Sequence, residues 1–264
     1  MQAIERRLVA GDGFAVADVR REGDGEWTSL AAADTVGVLF VRNGCFRLDD
    51  SLLDVTSVYV ESPGRETRAL HRSGADDRWT SFRIAPALVN GGAAAALPAG
   101  ALFSPPFLDL EHRRLLSLAY RAPEQVTRES IAALVAAVFD RLNIPRVAGG
   151  REATAQQRRR IVDTVRETLA LDPRIRVVQL ARQAAVSPHH LSRIFAAETG
   201  QTISAYRNCL RARVALERVA GGERSLARIA ADLGFADHAH LTRVVRRQAG
   251  APPSNLRELL RFGA

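Results

Sequence analysis

The chain contains no lysine: all 37 basic side chains among its 264 residues are arginine. Arginine as such therefore singles out no site, and only its distribution carries information. Cysteine is nearly absent as well. Cys45 and Cys209 are the only two, and they lack metal-ligand spacing. That pattern excludes a disulfide scaffold and fits a reducing, cytoplasmic compartment. Long apolar runs are missing, and residues 1–19 carry Glu5, Arg6, Arg7 and Asp12, so neither a signal peptide nor a membrane span is expected. Histidine is scarce where a metalloenzyme needs it, since only His71 and His112 precede residue 150. His71 reads as an ordinary polar residue of the N-terminal fold. There is no defensible Ser/His/Asp or Cys/His arrangement, no phosphate-binding glycine loop and no cofactor motif, so no catalytic residue, metal or cofactor is expected.

What is present is an uneven charge. Residues 1–150 hold 17 arginines and 19 acids, a net −2, while residues 151–264 hold 20 arginines and 10 acids, a net +10. A basic region beside a slightly acidic one is the electrostatic footprint of a nucleic-acid binder with a separate second function. A membrane-surface reading is weaker, because no Leu/Trp-rich amphipathic stretch accompanies the charge.

The basic region contains one device twice. Leu180-Ala181, then Ala184-Ala185-Val186-Ser187 and Pro188 through Phe195, is echoed by Ile229-Ala230, Leu233-Gly234-Phe235-Ala236 and Asp237 through Val245. The offset is 49 residues before the turn and 50 after it. Each copy predicts a short helix, a tight turn and a second amphipathic helix, the pattern of a helix-turn-helix. Leu191, Ile194 and Phe195 take i, i+3, i+4 spacing on one face, as do Leu241, Val244 and Val245. The other faces carry His189, Ser192, Arg193 and Ala196, and His238, Ala239, Thr242 and Arg243. Gly234 suits a turn needing positive φ, whereas Ala185 in its place costs about 1–2 kcal/mol. One such pattern alone is weak; two copies on a basic region favour DNA binding over a solvated helical bundle.

Residues 1–110 read as short strands separated by Gly, Pro and Asp, predicting a small barrel or sandwich. Phe14–Arg20, Thr35–Leu48 with a hairpin signal at Asn43-Gly44, Asp54–Val60 and Trp79–Ile84 are the strand candidates. Ala93–Gly100 gives no clear state. From Asp109 the periodicity becomes helical, with a break at Pro123. Ile131, Leu134, Val135, Val138, Phe139 and Leu142 form an apolar stripe that either packs within the chain or pairs with a second subunit. Asn143–Thr154 is the expected linker, followed by a helix over Ala155–Leu171. Gln201–Val219 is expected to connect the two copies, with Ser204 as its cap and Ala205, Leu210, Val214 and Leu216 inward. Pro252-Pro253-Ser254 opens a last helix through Leu260.

From about Ala155 to Arg257 the chain resembles the arabinose-regulator (AraC/XylS) family of bacterial transcription regulators. The resemblance is carried by Val186–Phe195 with Glu198-Thr199-Gly200, and by Ile229–Phe235 with Leu241-Thr242-Arg243-Val244. Ala185 replaces the usual turn glycine, and Val245 and Ala249 stand where aromatics are common. The resemblance implies an α+β protein. Residues 1–108 would be a cupin-like β-barrel sensing domain, 109–150 a helical connector and possible dimerisation element, and 151–264 an all-α double helix-turn-helix domain. It implies base reading by His189, Ser192 and Arg193 in one helix and by His238, Ala239, Thr242 and Arg243 in the other. Implied partners are double-stranded promoter DNA, a small-molecule effector, a second copy of the chain, and RNA polymerase as a further candidate. The rival readings are a cupin-type enzyme fused to a helical domain, and a basic helical module that binds an acidic protein.

Overall fold

The computed structural model describes residues 3–89, 99–142 and 152–262. Ten strands come first: β1 (Ile4–Gly11), β2 (Phe14–Glu22), β3 (Trp27–Leu30), β4 (Val36–Asn43), β5 (Cys45–Leu48), β6 (Ser51–Asp54), β7 (Ser57–Glu61), β8 (Thr67–His71), β9 (Asp76–Ile84) and β10 (Gly100–Phe103). Nine helices follow among the described residues: α1 (Pro106–Arg121), α2 (Arg128–Leu142), α3 (Glu152–Leu171), α4 (Val177–Gln183), α5 (Pro188–Thr199), α6 (Ile203–Ala220), α7 (Leu226–Asp232), α8 (His238–Ala249) and α9 (Pro253–Leu260).

The strands do not close a barrel. They form a six-stranded sheet, in the order β1-β2-β9-β4-β7-β10, and a four-stranded sheet, β3-β8-β5-β6. Strand β4 shows the layering. Val36, Val38 and Phe40 join the apolar cluster that contains α1 and α2, whereas Leu39 and Val41, on the opposite face, join the cluster between the sheets. With period-two side chains and both faces covered, nearly all of β4 is buried.

Two sequence expectations fail locally for physical reasons. Asn43-Gly44 is not a hairpin, because β4 and β5 lie in different sheets. Gly44 takes φ +87° where the chain crosses between them, and a Cβ there would lie 1.8 Å from Asp77 Oδ1. The β-branched run Asp54–Val60 is split into two strands, because Asp54 Oδ1 accepts from the Thr56 amide at 2.8 Å and turns the chain.

The apolar stripe on α2 is spent inside the chain: Ile131, Leu134, Val135, Val138 and Phe139 are buried in the cluster with β4 and β9. The helical connector begins at Pro106, three residues before the expected Asp109. Of the expected linker, 143–151 lies outside the described residues, and Glu152–Thr154 is already helix; most of Ala93–Gly100 also lies outside them. Thr202, not Ser204, caps α6, its hydroxyl accepting from the Ala205 amide. Ala205 is consequently exposed, and Ile203, Tyr206, Cys209 and Leu210 take the inward face.

Candidate nucleic-acid interface

The repeated sequence builds repeated geometry. After α4, Ala185 adopts φ +53° and the Val186 amide bonds back to the Ala181 carbonyl at 3.0 Å. After α7, Gly234 adopts φ +72° and the Phe235 amide bonds to the Ala230 carbonyl at 2.9 Å. Both turns use a left-handed residue to end one helix and redirect the chain. The second helices are capped alike: Ser187 Oγ accepts from the His190 amide at 3.2 Å, and Asp237 Oδ1 from the His240 amide at 2.6 Å. Both end at a glycine of positive φ, Gly200 and Gly250.

The faces divide as the periodicity predicts. Leu191, Ile194 and Phe195 are buried on α5, and Leu241, Val244 and Val245 on α8. His189, Ser192 and Arg193 are exposed on α5; on α8, His238 and Arg243 are exposed while Ala239 and Thr242 are half-buried. The Ser192 hydroxyl donates to the Pro188 carbonyl at 2.9 Å and the Thr242 hydroxyl to the His238 carbonyl at 2.9 Å. Each hydroxyl thus spends its proton on its own helix and keeps only acceptor capacity for a ligand. Arg193 Nη2 lies 3.2 Å from His190 Nδ1, a contact that orients the guanidinium and that periodicity does not reveal. Arg246, three residues beyond Arg243, extends the exposed face of α8 by one turn.

The spacing of the two units is set by α6. Its first half, with Ile203, Tyr206 and Leu210, packs in the core of the first unit. Its second half, with Ala212, Ala215, Leu216 and Val219, packs in the core of the second. At 1.5 Å per residue its 18 residues span about 27 Å, so one rigid element holds both α5 and α8.

Buried charges tie α3 and α6 to the sheets. Arg166 of α3 lies 2.8 Å from Asp54 Oδ2, which also accepts from the Tyr206 hydroxyl of α6. Burial alone would raise the Asp54 pKa, but the Arg166 guanidinium and bonds from Thr56 and Tyr206 hold it below the ordinary range. Arg42 of β4 and Arg113 of α1, both fully buried, each reach Glu217 of α6 at 2.8 Å. His112 is buried flat against Phe40, with Nε2 2.8 Å from Thr80 Oγ1; burial pushes its pKa well down. His71 is buried too, its Nδ1 2.7 Å from Asp77 Oδ2. Among the described residues no group of three or more His, Cys, Asp or Glu stands in position to hold a metal, and no helix is long and apolar enough to cross a membrane.

Two capped helix-turn-helix units on one connecting helix define a double helix-turn-helix DNA-binding domain. The family model described as a helix-turn-helix domain matches residues 180–259; this region is of the arabinose-regulator (AraC) type, and the protein is a DNA-binding transcription regulator. No curated protein matches the chain. Among solved structures it is similar to ToxT from Vibrio cholerae O395, at 12% identity over 95% of this chain and 99% of that one, with a TM-score of 0.37. It is also similar to an AraC-type DNA-binding domain-containing regulator from Chromobacterium violaceum, at 20% identity over 38% of this chain and 91% of that one, TM-score 0.36. A DNA-binding transcriptional dual regulator from Escherichia coli K-12 shows 19% identity over 37% of this chain and 89% of that one, TM-score 0.34.

Proposed function

We propose that the protein reads promoter DNA with α5 in one major-groove segment and α8 in the next, under control of a small molecule held by the N-terminal sheets. The observation that carries the reading is the shared helix: α6 belongs to both cores, so the exposed faces of α5 and α8 are presented together. Arg193 and Arg243 are the proposed guanine readers, because a guanidinium matches O6 and N7 bidentately. His189, Ser192, His238, Ala239 and Thr242 line the same faces, Ser192 and Thr242 as acceptors. A second copy of the chain on the operator needs a surface other than the α2 stripe, which is buried within the chain.

Selection of binding sites by the full-length protein tests this. Arg193→Ala is expected to relax base preference in one segment and Arg243→Ala in the other, each at about 1–3 kcal/mol. Wild-type affinity should fall steeply with salt. If both variants select the wild-type motif and merely bind everything more weakly, these arginines hold phosphates and the assignment fails.

A further inference from the structure

We infer that a second copy of the chain joins at the open edge of β1, the two strands pairing antiparallel about a two-fold axis at Arg6, so that the six-stranded sheet continues across both copies. The inference rests on the reading above, in which a second copy on the operator needs a surface other than the α2 stripe. Strand β1 is bonded to β2 on one side only. In an antiparallel pair alternate residues turn N–H and C=O away from the neighbouring strand, so β1 presents a row of backbone donors and acceptors outward. The other described sheet edges, β3, β6 and β10, are four residues long, whereas β1 has eight and no proline. Its register with β2 shifts only between Arg7 and Val9, so Ile4–Arg7 is regular. Ile4 is 69% exposed, more than any other large apolar side chain described.

The side chains select the partner and the register. Glu5, Arg6 and Arg7 are exposed, and neither Glu5 nor Arg7 has an ion-pair partner among the described residues. Charge of one sign on an edge keeps strands apart; this mixed run is self-complementary instead. A two-fold axis normal to the sheet leaves each side chain on its own face, and side chains alternate between faces. Odd residues of one copy therefore oppose only odd residues of the other. An axis at Glu5 sets two carboxylates against each other, and one at Arg7 sets two guanidiniums there. An axis at Ile4 leaves the charges unmatched. An axis at Arg6 puts Glu5 opposite the second copy's Arg7, and Arg7 opposite its Glu5, giving two opposite-charge pairs. Arg6 then meets Arg6 on the axis, but each lies over the Tyr120 ring at 5.1 Å and across from Asp18 of β2, which offsets their repulsion. The exposed Ile4 comes beside the second copy's Leu8, which is half-buried.

Such a contact uses the same surface on both copies and closes on itself, so it makes a dimer and no filament. Once two β1 strands have paired, neither copy has a long open edge left. No residue of α5 or α8 takes part, so each copy brings both of those helices to the operator.

The test uses the full-length protein without DNA, in sedimentation velocity from about 1 to 100 µM, a range set by the modest size of a strand-pair contact. A reversible dimer is expected. Arg7→Glu, which sets glutamate against Glu5 on both sides of the axis, should weaken it roughly tenfold or more, as should Glu5→Arg. The exchange variant carrying both substitutions re-forms the pairs with their signs reversed and should dimerise like the wild type. Opposed residues of antiparallel strands have Cα atoms about 4.5–5.5 Å apart, within reach of a disulfide. Arg6→Cys should therefore give a disulfide-linked dimer on mild oxidation, whereas Ile4→Cys, about 13 Å along the strand from its own copy, should not. A monomer across the whole range overturns the proposal. So does a dimer indifferent to Arg7→Glu, an exchange variant as weak as the single ones, or linkage through Ile4→Cys in place of Arg6→Cys. If Arg7→Glu does not fold, the two cysteine variants decide. Site selection tests the operator role by itself: the wild type should select two copies of its motif and the Arg7→Glu monomer one. A dimer that selects a single copy leaves the β1 contact standing and overturns the two-copy reading, so the two ideas fail separately.

Discussion

The first helix-turn-helix unit, α4–α5, and the second, α7–α8, have the same turn, cap and buried triplet, yet they are held in place differently. The first shares its core with the sheets. Leu180, Leu191 and Phe195 sit in one apolar cluster with Leu39, Phe46 and Leu53 of the sheets. The second is built on α6 and α9; from the N-terminal half, Leu110 of α1 joins its cluster, and the Tyr120 ring and Arg42 guanidinium lie against Phe262. Its polar ties to that half are Glu217 of α6, paired with the buried Arg42 and Arg113 at 2.8 Å each, Ser117 Oγ donating to the Arg261 carbonyl at 2.8 Å, and Arg121 Nη1 donating to the Glu258 carbonyl at 2.7 Å. Apolar packing is close and non-directional, so displacement on one side is felt on the other. The second unit meets the N-terminal half less through apolar packing and more through ion pairs and hydrogen bonds. The first unit is therefore the one placed to respond to apolar repacking in the sheets.

The largest expected effect comes from cutting the tie of the first unit. Asp54→Asn leaves the Arg166 guanidinium without its buried counter-charge, at a cost of about 3–5 kcal/mol. Urea unfolding at neutral pH measures it. The pH dependence has a definite sign. The folded-state pKa of Asp54 lies below its ordinary value, so its contribution is present above about pH 4 and is lost as pH falls through the folded pKa. The gap between wild type and Asp54→Asn should then narrow in acid. A cut at the second unit that spares its ion pairs, Ser117→Ala, should cost only about 1 kcal/mol. Hydrogen exchange separates the two: protection should fall in α5 for Asp54→Asn and in α9 for Ser117→Ala. Equal loss in both units from either variant would show that they are not held differently.

Much of the exposed face of α5 and α8 was legible because its signals are local. Ser187-Pro188 announces a cap and first helical turn, Gly200 and Gly250 announce stops, and the i, i+3, i+4 triplets name the buried side. The ties just described were not legible. Arg42 and Glu217 are 175 positions apart, and nothing in either neighbourhood marks a partner, least of all in a chain whose every basic residue is arginine. Strand ends were missed for a related reason. Asp54 reads as one polar residue in a β-branched run until its carboxylate is seen accepting the Thr56 amide. Thr202 and Ser204 are equally able to cap, and packing of Ile203 and Tyr206 decided between them. Closure of the sheets into a barrel is a global property that no single strand specifies.

The turns offer a finer contrast. Gly234→Ala places a Cβ 2.4 Å from Arg174 Cγ and puts an L-residue at φ +72°. Arg174 is an exposed, flexible side chain that can move aside, so the backbone term dominates, at about 1–2 kcal/mol. Thermal unfolding should show this loss. A variant as stable as wild type would mean that the turn relaxes to negative φ and that Gly234 is not needed for it.

The smallest effect has the opposite sign and tests the same residue type in the other unit. Ala185 already holds φ +53°, one of two non-glycine residues with positive φ among those described. Its conformation is held by the Val186 and Ala185 amides bonding to Ala181 and Arg182 at 3.0 and 3.1 Å. Ala185→Gly removes the clash between Cβ and the carbonyl that left-handed backbone imposes, but it also gives the unfolded chain more freedom to lose. The first term is about 1–2 kcal/mol and the second about 0.5–1, so a net gain of about 0.5–1 kcal/mol is expected. Base preference should not change, since Ala185 lies outside the reading face. If the first unit is the responsive one, a firmer turn should also reduce any effect of a small molecule held by the sheets on duplex affinity, whereas Gly234→Ala should leave that response in place. Stabilisation with an unchanged ligand response would confine the role of Ala185 to local strain; loss of stability would mean that its methyl group makes a packing contact worth more than the strain it carries.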